Sequence, residues 1–427
     1  MQTNKINYPK NIKRQNPAKK PKKQRWPIQL LAFTLALILR LGIKRKLVKI
    51  GMKDLKKQPY LLLVNHMSFL DFPIAIQATA PRKVNNVVAI GEFDIKAGLF
   101  YIAGCWPKRK FVGEVHTVRN VLHCLRKYKS VVTIYPEARY TQTGTNAVLP
   151  DSLGKLIKLA KVPVVTLIFN GHHLINPCWG DTKYRKEVPV LATMKPLLDT
   201  NQIAQMSADE INLTVNKAFV YDEYKYWQQS GFKIKYKNRA AGLHHLLYKC
   251  PECLSEYKMT SGGCQIACSQ CNSAWELTQE GYLNCKTGQT RFNHIPDWCE
   301  WERGQVRSEI EQGTYKIEGS FETFSQPKDT TIIKLGKTDF VHNNSGFRVK
   351  GHYNGQDFEF IKPPSENYSI QTEYNYARFK GKHFFSFSTE DDSLYFFPIT
   401  DGLIQKIYFA VEELYKFDKA AKNAPEQ

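Results

Sequence analysis

The stretch LLLVNHMSFLDFPIAI, Leu61 to Ile76, joins two apolar runs through a short polar turn. The first run has the length and the branched apolar residues of a buried strand. The turn contains one histidine, His66, and one aspartate, Asp71, with four residues between them. A titratable pair next to a buried strand is a candidate for acid–base chemistry.

Further β-rich runs of similar length follow, separated by segments with apolar residues at helical spacing. The β-rich runs are VNNVVAIG, SVVTIYPEA and VPVVTLIFNG, and the helical segments are VHTVRNVLHCLRKY and DSLGKLIKLAKV. This alternation predicts an α/β domain over residues 51–235, with a mostly parallel sheet flanked by helices. Active residues are then expected just beyond the carboxyl ends of the strands.

A carboxylate that assists a histidine must touch it, because it holds the tautomer and stabilises the imidazolium. Five positions along a regular helix are about 140° apart, so His66 and Asp71 cannot share a helix face. We therefore predict that a strand ends in a turn at His66 and that Asp71 reaches back from the first turn of the next helix. The alternative is a simple helix start, with Ser68 as the cap and Asp71 favourable to the helix dipole.

Four short blocks occur in a fixed order around this pair. NHMSFLD resembles the first signature of the glycerolipid acyltransferases, a family that includes the lysophosphatidic acid acyltransferases. IAGCWPKRK resembles the second block and places Arg109 at its arginine, IYPEARYTQTG resembles the third, and VPVVTLIF resembles the apolar fourth. The third block departs from the family pattern: Ala138 stands where glycine is usual, Arg139 follows it, and Tyr140 stands at the usual arginine position.

The resemblance implies an acyltransferase. His66 is expected to act as general base on an acceptor hydroxyl that attacks an acyl thioester, and Asp71 to orient the imidazole. Arg109, Glu137 and Arg139 are expected to position the polar head of the acceptor.

The family also suggests the substrates. The expected acceptor is a lysophospholipid or glycerol phosphate, and the donor is acyl-CoA or acyl carrier protein. The reaction would belong to phospholipid biosynthesis or remodelling. The remaining histidines of this region are interpreted as structural or surface residues: His116, His123, His172 and His173.

The charge is strongly positive, with 61 Lys and Arg against 39 Asp and Glu. Nine of these cations lie in residues 1–25, which are interpreted as a basic disordered tail. An apolar helix within residues 26–50 follows, too short for a comfortable span and suited to a membrane interface with anionic lipid. We predict a membrane-associated protein on the cytoplasmic face; the alternative is a tail before a buried first helix. A cleaved signal peptide fits poorly, because the basic segment is long and no small-residue cleavage site follows.

Two Cys-x2-Cys pairs, CPEC and CSQC, lie fourteen residues apart. Two such knuckles can supply four thiolates to one tetrahedral ion, so residues 246–284 are predicted to form a zinc ribbon with structural Zn²⁺. The predicted ligands are Cys250, Cys253, Cys268 and Cys271. A closed shell of four thiolates leaves no position for catalysis.

Residues 304–418 contain several alternating strand patterns split by turn residues and end in an amphipathic helical pattern. They predict a small antiparallel β domain capped by a helix, with an outline similar to pleckstrin-homology domains. Such an outline does not assign a ligand.

Two other functions compete with acyl transfer. One is a nucleic-acid-binding protein that uses the zinc ribbon and the positive charge, although the basic residues are concentrated beside an apolar segment. The other is a non-catalytic, lipid-binding homologue of the acyltransferases, which the altered third block permits.

Overall fold

The computed structural model describes residues 6–12, 15–16, 19–39, 42–93 and 97–423. The helices are α1 Trp26–Leu39, α2 Asp71–Thr79, α3 Ala97–Ile102, α4 Val115–Arg126, α5 Ser152–Ala160, α6 His172–Ile175, α7 Thr200–Gln205, α8 Ala208–Ala218, α9 Glu223–Ser230, α10 Ile295–Glu311 and α11 Leu403–Asn423. The strands are β1 Arg45–Lys49, β2 Leu61–Val64, β3 Val84–Ala89, β4 Trp106–Lys108, β5 Val131–Ile134, β6 Val164–Asn170, β7 Val190–Leu198, β8 Met259–Gly262, β9 Gln265–Cys268, β10 Ala274–Leu277, β11 Leu283–Cys285, β12 Lys316–Lys328, β13 Thr331–Asn343, β14 Gly346–Tyr353, β15 Gln356–Lys362, β16 Gln371–Tyr376, β17 Lys382–Ser388 and β18 Ser393–Phe397.

The N-terminal sheet has the order β1-β7-β6-β2-β5-β3-β4. Its neighbours pair in parallel except for β6 and β7, so the predicted mostly parallel α/β class is confirmed. Strand β1 belongs to this sheet through its register with β7. The α/β domain therefore begins at Arg45 rather than at residue 51.

The central strand β2 is buried on both faces. Leu61 and Leu63 pack into a core with residues of α4, α5, α7 and α8, whereas Leu62 and Val64 point into a second core on the other side. An uninterrupted apolar run is what a central parallel strand requires, because neither face meets water. The second core continues into the cysteine module and the C-terminal domain, which cover this side of the sheet.

The C-terminal half contains two antiparallel sheets. Strands β8 to β11 form a four-stranded sheet, and β12 to β18 form a seven-stranded sheet in the order β15-β14-β13-β12-β18-β17-β16. The predicted antiparallel β domain with a terminal helix is thus confirmed, and its likeness to pleckstrin-homology domains stays a prediction. Residues 304–311 differ from the predicted β-rich start, because they complete helix α10, which buries Trp298, Val306 and Ile310 at helical spacing.

The described part of the basic N-terminal tail also differs from the predicted disorder. Ile6 is buried, and the Tyr8 hydroxyl hydrogen-bonds to residues of the C-terminal domain. Gln24 is buried and accepts a hydrogen bond from the Val84 N–H at 2.9 Å. Among the described helices, none is both long and apolar enough to cross a bilayer.

Helix α11 is held to the rest of the molecule by buried ion pairs. The Glu412 carboxylate lies 2.9 Å from Arg139, in the loop after β5, and 2.9 Å from Arg303 on α10. All three side chains are almost fully buried. Because an unpaired buried charge is costly, this carboxylate couples the position of α11 to the α/β domain.

Replacing Glu412 by alanine is expected to lower the free energy of unfolding by about 3–5 kcal/mol, because two buried guanidinium groups lose their partner. Chemical denaturation monitored by tryptophan fluorescence measures this change. Glu318→Ala is the matched control, since Glu318 pairs with Lys316 where both are more than half exposed; its effect should stay within about 0.5 kcal/mol. Equal effects of the two variants would contradict the coupling.

Candidate active site

The carboxyl ends of β2, β5 and β6 meet at one edge of the N-terminal sheet. Asn65 follows β2 directly and fixes its end: its Nδ2 donates to the Phe169 carbonyl at 3.0 Å, and the Phe169 N–H donates to its Oδ1 at 2.8 Å. This pair of hydrogen bonds joins the end of β2 to β6. The next residue, His66, is therefore presented at the edge where active residues of parallel sheets usually lie.

The structure brings His66 and Asp71 together. His66 Nδ1 lies 3.0 Å from Asp71 Oδ2, and Asp71 is the first residue of α2. The same oxygen accepts the N–H groups of Met67 and Ser68 at 2.6 and 3.0 Å. Ser68 does not cap α2; the loop instead wraps around the carboxylate, which is the geometry that the spacing predicted.

A second histidine completes the arrangement. His172 Nδ1 lies 2.6 Å from Asp71 Oδ1, so the carboxylate is held between two imidazoles. The His172 ring is fully buried and stacks on Phe169, with 4.6 Å between centroids. The interpretation of His172 as a structural or surface residue did not include this contact with Asp71.

Asp71 remains an anion despite its burial. Burial by itself raises the pKa of a carboxyl, but the hydrogen bonds from His172 and then His66 outweigh it and lower the pKa of Asp71 below its usual value. An ionised Asp71 accepts a hydrogen bond from the Nδ1–H group of His66. The lone pair of His66 is then on Nε2.

His172 could have been found by applying the strand-end rule once more. It follows β6 through Gly171, which has φ 98° and no room for a side chain, since a Cβ would lie 2.4 Å from the Pro189 carbonyl oxygen. The buried carboxylate of Glu223 accepts the N–H groups of Gly171 and His173 and so fixes this turn. Two histidines at the carboxyl end of a strand that neighbours β2 were the available signal.

The His66 side chain is 22% exposed and lies between two tyrosine rings. The ring centroids of Tyr135 and Tyr140 are 4.4 and 4.5 Å from that of His66. Tyr140, at the position where the family pattern has arginine, thus packs against the histidine. Within the described residues no hydrogen bond reaches His66 Nε2, which leaves this atom available to accept a proton.

Glu137 supports the backbone of the site. Its Oε2 accepts the His66 N–H at 2.8 Å, and its Oε1 accepts the Tyr221 hydroxyl at 2.8 Å. Burial raises the pKa of Glu137 to about 7 against these hydrogen bonds. The adjacent Ala138 has φ 58°, a left-handed conformation that glycine adopts without strain. Glu137 therefore lies beside the histidine backbone, and no described contact directs it to a headgroup.

Arg109 does not face an open site. Its guanidinium is buried, and its five N–H donors bind acceptors of the C-terminal domain. These acceptors are the carbonyl oxygens of Gln326, Pro327, Glu390 and Asp391 and the Ser393 hydroxyl. A phosphate would have to displace several of these bonds to reach Arg109.

Arg139 is occupied in the same way. Besides Glu412, its guanidinium donates to the Ser369 and Tyr408 hydroxyls. Its placement differs from the predicted contact with an acceptor head because the C-terminal domain and α11 cover this part of the α/β domain. A family pattern confined to the α/β domain carries no information about such a cover.

The four predicted zinc ligands lie together. The sulfur atoms of Cys250 and Cys271 are 3.7 Å apart, as are those of Cys253 and Cys268. The two knuckles have the same turn, in which the Leu254 and Asn272 N–H groups donate to the carbonyls of Cys250 and Cys268. Sulfur atoms around one tetrahedral zinc ion are about 3.8 Å apart, so these thiols fit the metal.

Residues 46–170 match the family model described as Acyltransferase. This range contains all four sequence blocks, and it contains both His66 and Asp71. The matched segment includes the turn after β2 and ends at the last residue of β6, before His172.

A curated relative is the 1-acyl-sn-glycerol-3-phosphate acyltransferase of Saccharomyces cerevisiae, 26% identical over 173 residues that cover 38% of this chain and 54% of the yeast protein. The chain thus spans about half the length of the curated relative that it matches. Among solved structures, the 1-acyl-sn-glycerophosphate acyltransferase PlsC of Thermotoga maritima aligns over 48% of this chain and 79% of its own, with 16% identity and a TM-score of 0.36.

Proposed function

We propose that this chain, whose residues 46–170 match the Acyltransferase family model, transfers a fatty acyl group from an acyl thioester to a hydroxyl of a lysophospholipid or glycerol phosphate. The observation that carries the proposal is the contact between His66 and a buried, ionised Asp71 at the edge of the parallel sheet. Acyl-CoA and acyl carrier protein are the candidate donors. The product would enter phospholipid biosynthesis or remodelling.

The chemistry follows from the free nitrogen of His66. Nε2 removes the proton of the acceptor hydroxyl as its oxygen attacks the thioester carbonyl. The new C–O bond forms, the C–S bond breaks, and the proton passes from the imidazolium to the leaving thiolate. Asp71 stabilises the imidazolium during this step and stays ionised.

Asp71 can do this only if its own position is fixed. Two backbone N–H groups hold one oxygen, and His172 holds the other. Together with His66, these groups make four hydrogen bonds to the carboxylate and hold it in one orientation. In this orientation Oδ2 faces His66 Nδ1. We therefore assign His172 as a positioning residue.

A second candidate function is lipid binding without catalysis. The observation that favours it is the altered third block, in which Tyr140 stands at the family's arginine position and packs against His66. The C-terminal domain also occupies the guanidiniums of Arg109 and Arg139. Binding of a phosphate head to either arginine would require this domain to move aside. Turnover measurements separate the two functions.

We also propose that the protein associates with anionic membranes through α1. Its large apolar side chains are exposed along the helix: Trp26, Leu30, Leu31, Leu35 and Ile38. The exposed cations that precede it are Lys19, Lys20, Lys22, Lys23 and Arg25. An apolar helix with a basic flank binds the interface by burying its side chains among the acyl chains and by attraction to anionic headgroups. A site on the cytoplasmic face of a membrane would place lipid acceptors within reach.

For the cysteine module we propose a structural zinc ion held by Cys250, Cys253, Cys268 and Cys271. Bound there, the ion would supply folding energy to a sheet of four short strands. It has no part in the acyl transfer, because four thiolates fill its coordination sphere.

His66→Gln is expected to lower acyl transfer by at least about 100-fold, because no other group accepts the hydroxyl proton. The assay uses the full-length protein in mixed micelles, with acyl-CoA or acyl carrier protein as donor. Lysophosphatidate, glycerol 3-phosphate and a lysophospholipid with a zwitterionic head are the acceptors.

His352→Gln is the matched control, because His352 and Asp357 have the same spacing and a contact of 2.7 Å but lie exposed on the β domain. It should leave the rate unchanged. A folded wild-type protein that binds acceptor lipids and turns none over would favour the second candidate function.

His172→Phe is expected to lower kcat by about 10–100-fold with little change in KM, because the ring can still stack on Phe169 but Asp71 loses a donor. The pKa of Asp71 should rise, so the acidic limb of the pH–rate profile should move to higher pH. His172→Asn, which keeps a donor near the Nδ1 position, should restore part of the rate. A lower rate with an unchanged pH profile in both variants would show that His172 is only structural.

The double variant Leu31→Glu/Leu35→Glu is expected to weaken vesicle binding by at least about tenfold, because each leucine would contribute about 1.5–3 kcal/mol when it is buried in the membrane. Flotation with vesicles rich in phosphatidylglycerol measures the bound fraction. Ile399→Glu replaces a fully exposed isoleucine outside α1 and is the control. Equal binding of the double variant and the wild type would remove α1 from the membrane contact.

A further inference from the structure

A second group of potential metal ligands lies away from the cysteines. His244 and His245 are in the 3-10 turn Leu243–His245, just before the cysteine module, and Asp401 lies just before α11. His244 Nε2 is 3.8 Å from Asp401 Oδ2, and His245 Nδ1 is 3.4 Å from Asp401 Oδ1. One ligand atom of each residue lies within 4.8 Å of the others. Two adjacent histidines and an aspartate distant in the sequence thus direct nitrogen and oxygen atoms at one point.

Both imidazole rings are already oriented. His244 Nδ1 lies 2.7 Å from the Ser261 hydroxyl of β8, which leaves Nε2 toward Asp401. The His245 ring is stacked on Tyr374, with centroids 5.2 Å apart. Metal-binding histidines characteristically have the second nitrogen or the ring face held in this way.

His245 Nδ1 lies 3.4 Å from the Asp401 carboxylate but lacks a hydrogen-bond partner among the described residues. The residue is more than nine-tenths buried, and Nδ1 forms no hydrogen bond with any described residue. A buried polar atom without a partner costs free energy, and such atoms in native structures call for an explanation. A metal ion between Nδ1 and the carboxylate would satisfy it.

The backbone on both sides of this point is fixed by glycines. Gly242 has φ 84°, and a Cβ there would lie 2.0 Å from the Trp179 carbonyl oxygen. Gly402 has φ 82°, and a Cβ there would lie 2.3 Å from the Tyr248 Cβ. The backbone next to the histidines therefore packs tightly against Trp179, and the backbone next to Asp401 packs tightly against Tyr248. These contacts position the three ligand residues in the absence of a metal ion.

His383 also lies nearby, but its role is different. Its ring centroid is 4.5 Å from that of His245, and its Nδ1 accepts the Asn375 N–H at 3.0 Å. A neutral ring that accepts at Nδ1 carries its proton on Nε2, so it has no free lone pair for a metal. His383 packs against the ligand ring.

We propose that His244 Nε2, His245 Nδ1 and the Asp401 carboxylate bind one divalent transition-metal ion, with zinc as the ion that the set fits. Two imidazole nitrogens and one carboxylate oxygen are ordinary zinc ligands. Ligand atoms around tetrahedral zinc are about 3.3 Å apart, close to the two nitrogen–oxygen distances of 3.8 and 3.4 Å here. Asp401 is half exposed and has the freedom to adjust its position. Water would complete the coordination.

The ion would link three parts of the C-terminal half. His244 and His245 precede the cysteine module, Ser261 lies within it, and Asp401 leads into α11. Because Glu412 of α11 is paired with Arg139, the ion strengthens the attachment of the helix that covers the α/β domain. Metal binding is thus expected to stabilise the attachment of α11 to the α/β domain.

The test is a count of zinc ions per chain by native mass spectrometry, on the full-length protein saturated with zinc and then desalted. The wild type should hold two ions. His244→Ala and Asp401→Asn should each hold one, and Cys253→Ser should lose the cysteine-bound ion but keep the other. Neither His244 nor Asp401 is fully buried, so these variants are expected to fold. His352→Ala, from the exposed pair on the β domain, is the control and should hold two.

A thermal measurement accompanies the count. Saturating zinc should raise the Tm of the chelator-treated wild type further than that of Asp401→Asn. A wild-type count of one that Cys253→Ser abolishes would overturn this site and leave the zinc ribbon. Retention of both ions by both His244→Ala and Asp401→Asn would overturn it as well. A count of one that His244→Ala abolishes would support this site and reject the ribbon.

Discussion

The burial of the Asp71 carboxylate is the constraint on which the candidate active site depends. A buried anion is stable only with donors around it, and Asp71 has two imidazoles and two backbone N–H groups. These donors come from the turn after β2 and from the turn after β6. The carboxylate therefore ties together two strand ends, and the same bonds that make its burial tolerable set the orientation of His66. The hydrogen bonds to Asp71 thus stabilise the fold and set the geometry of the candidate site.

A second set of buried charges joins the C-terminal half to the α/β domain. Arg109 is bound by carbonyl oxygens and Arg139 by Glu412, so the cations that the family resemblance assigns to a phosphate are neutralised by protein. Four bonds from Arg109 to carbonyl oxygens satisfy its donors without adding a counter-charge. The charge of Arg109 is offset by the nearby carboxylates of Asp392, Glu114 and Asp391, none of which is hydrogen-bonded to its guanidinium. The charge of Arg139, by contrast, is compensated directly by the Glu412 carboxylate.

The sequence predicted the features that depend on local pattern. Apolar runs of strand length give the parallel sheet, since a central strand such as β2 has no polar face. The His66 and Asp71 pair could be recognised because the two residues are only five positions apart, and the two cysteine knuckles because each is a local pattern of four residues. The role of His172 was not predicted, because its partner Asp71 is 101 residues away and a contact at that separation produces no local sequence pattern. Helix α10 was not predicted, because its buried face includes the charged residues Glu302 and Arg303. These residues find their partners only in the folded protein.

The occupied arginines bear on how an acceptor could reach the domain. Glu412 presents one negative oxygen to Arg139 and the other to Arg303, so a phosphate head of the proposed acceptor would compete with this carboxylate for the Arg139 guanidinium. An acceptor wins this competition only if the free energy of its binding exceeds the cost of uncovering the pair. Membrane binding by α1 does not touch Arg139 and cannot by itself supply that difference. For the proposed acceptor, the displacement would have to come from the acceptor itself or from a change in the attachment of α11.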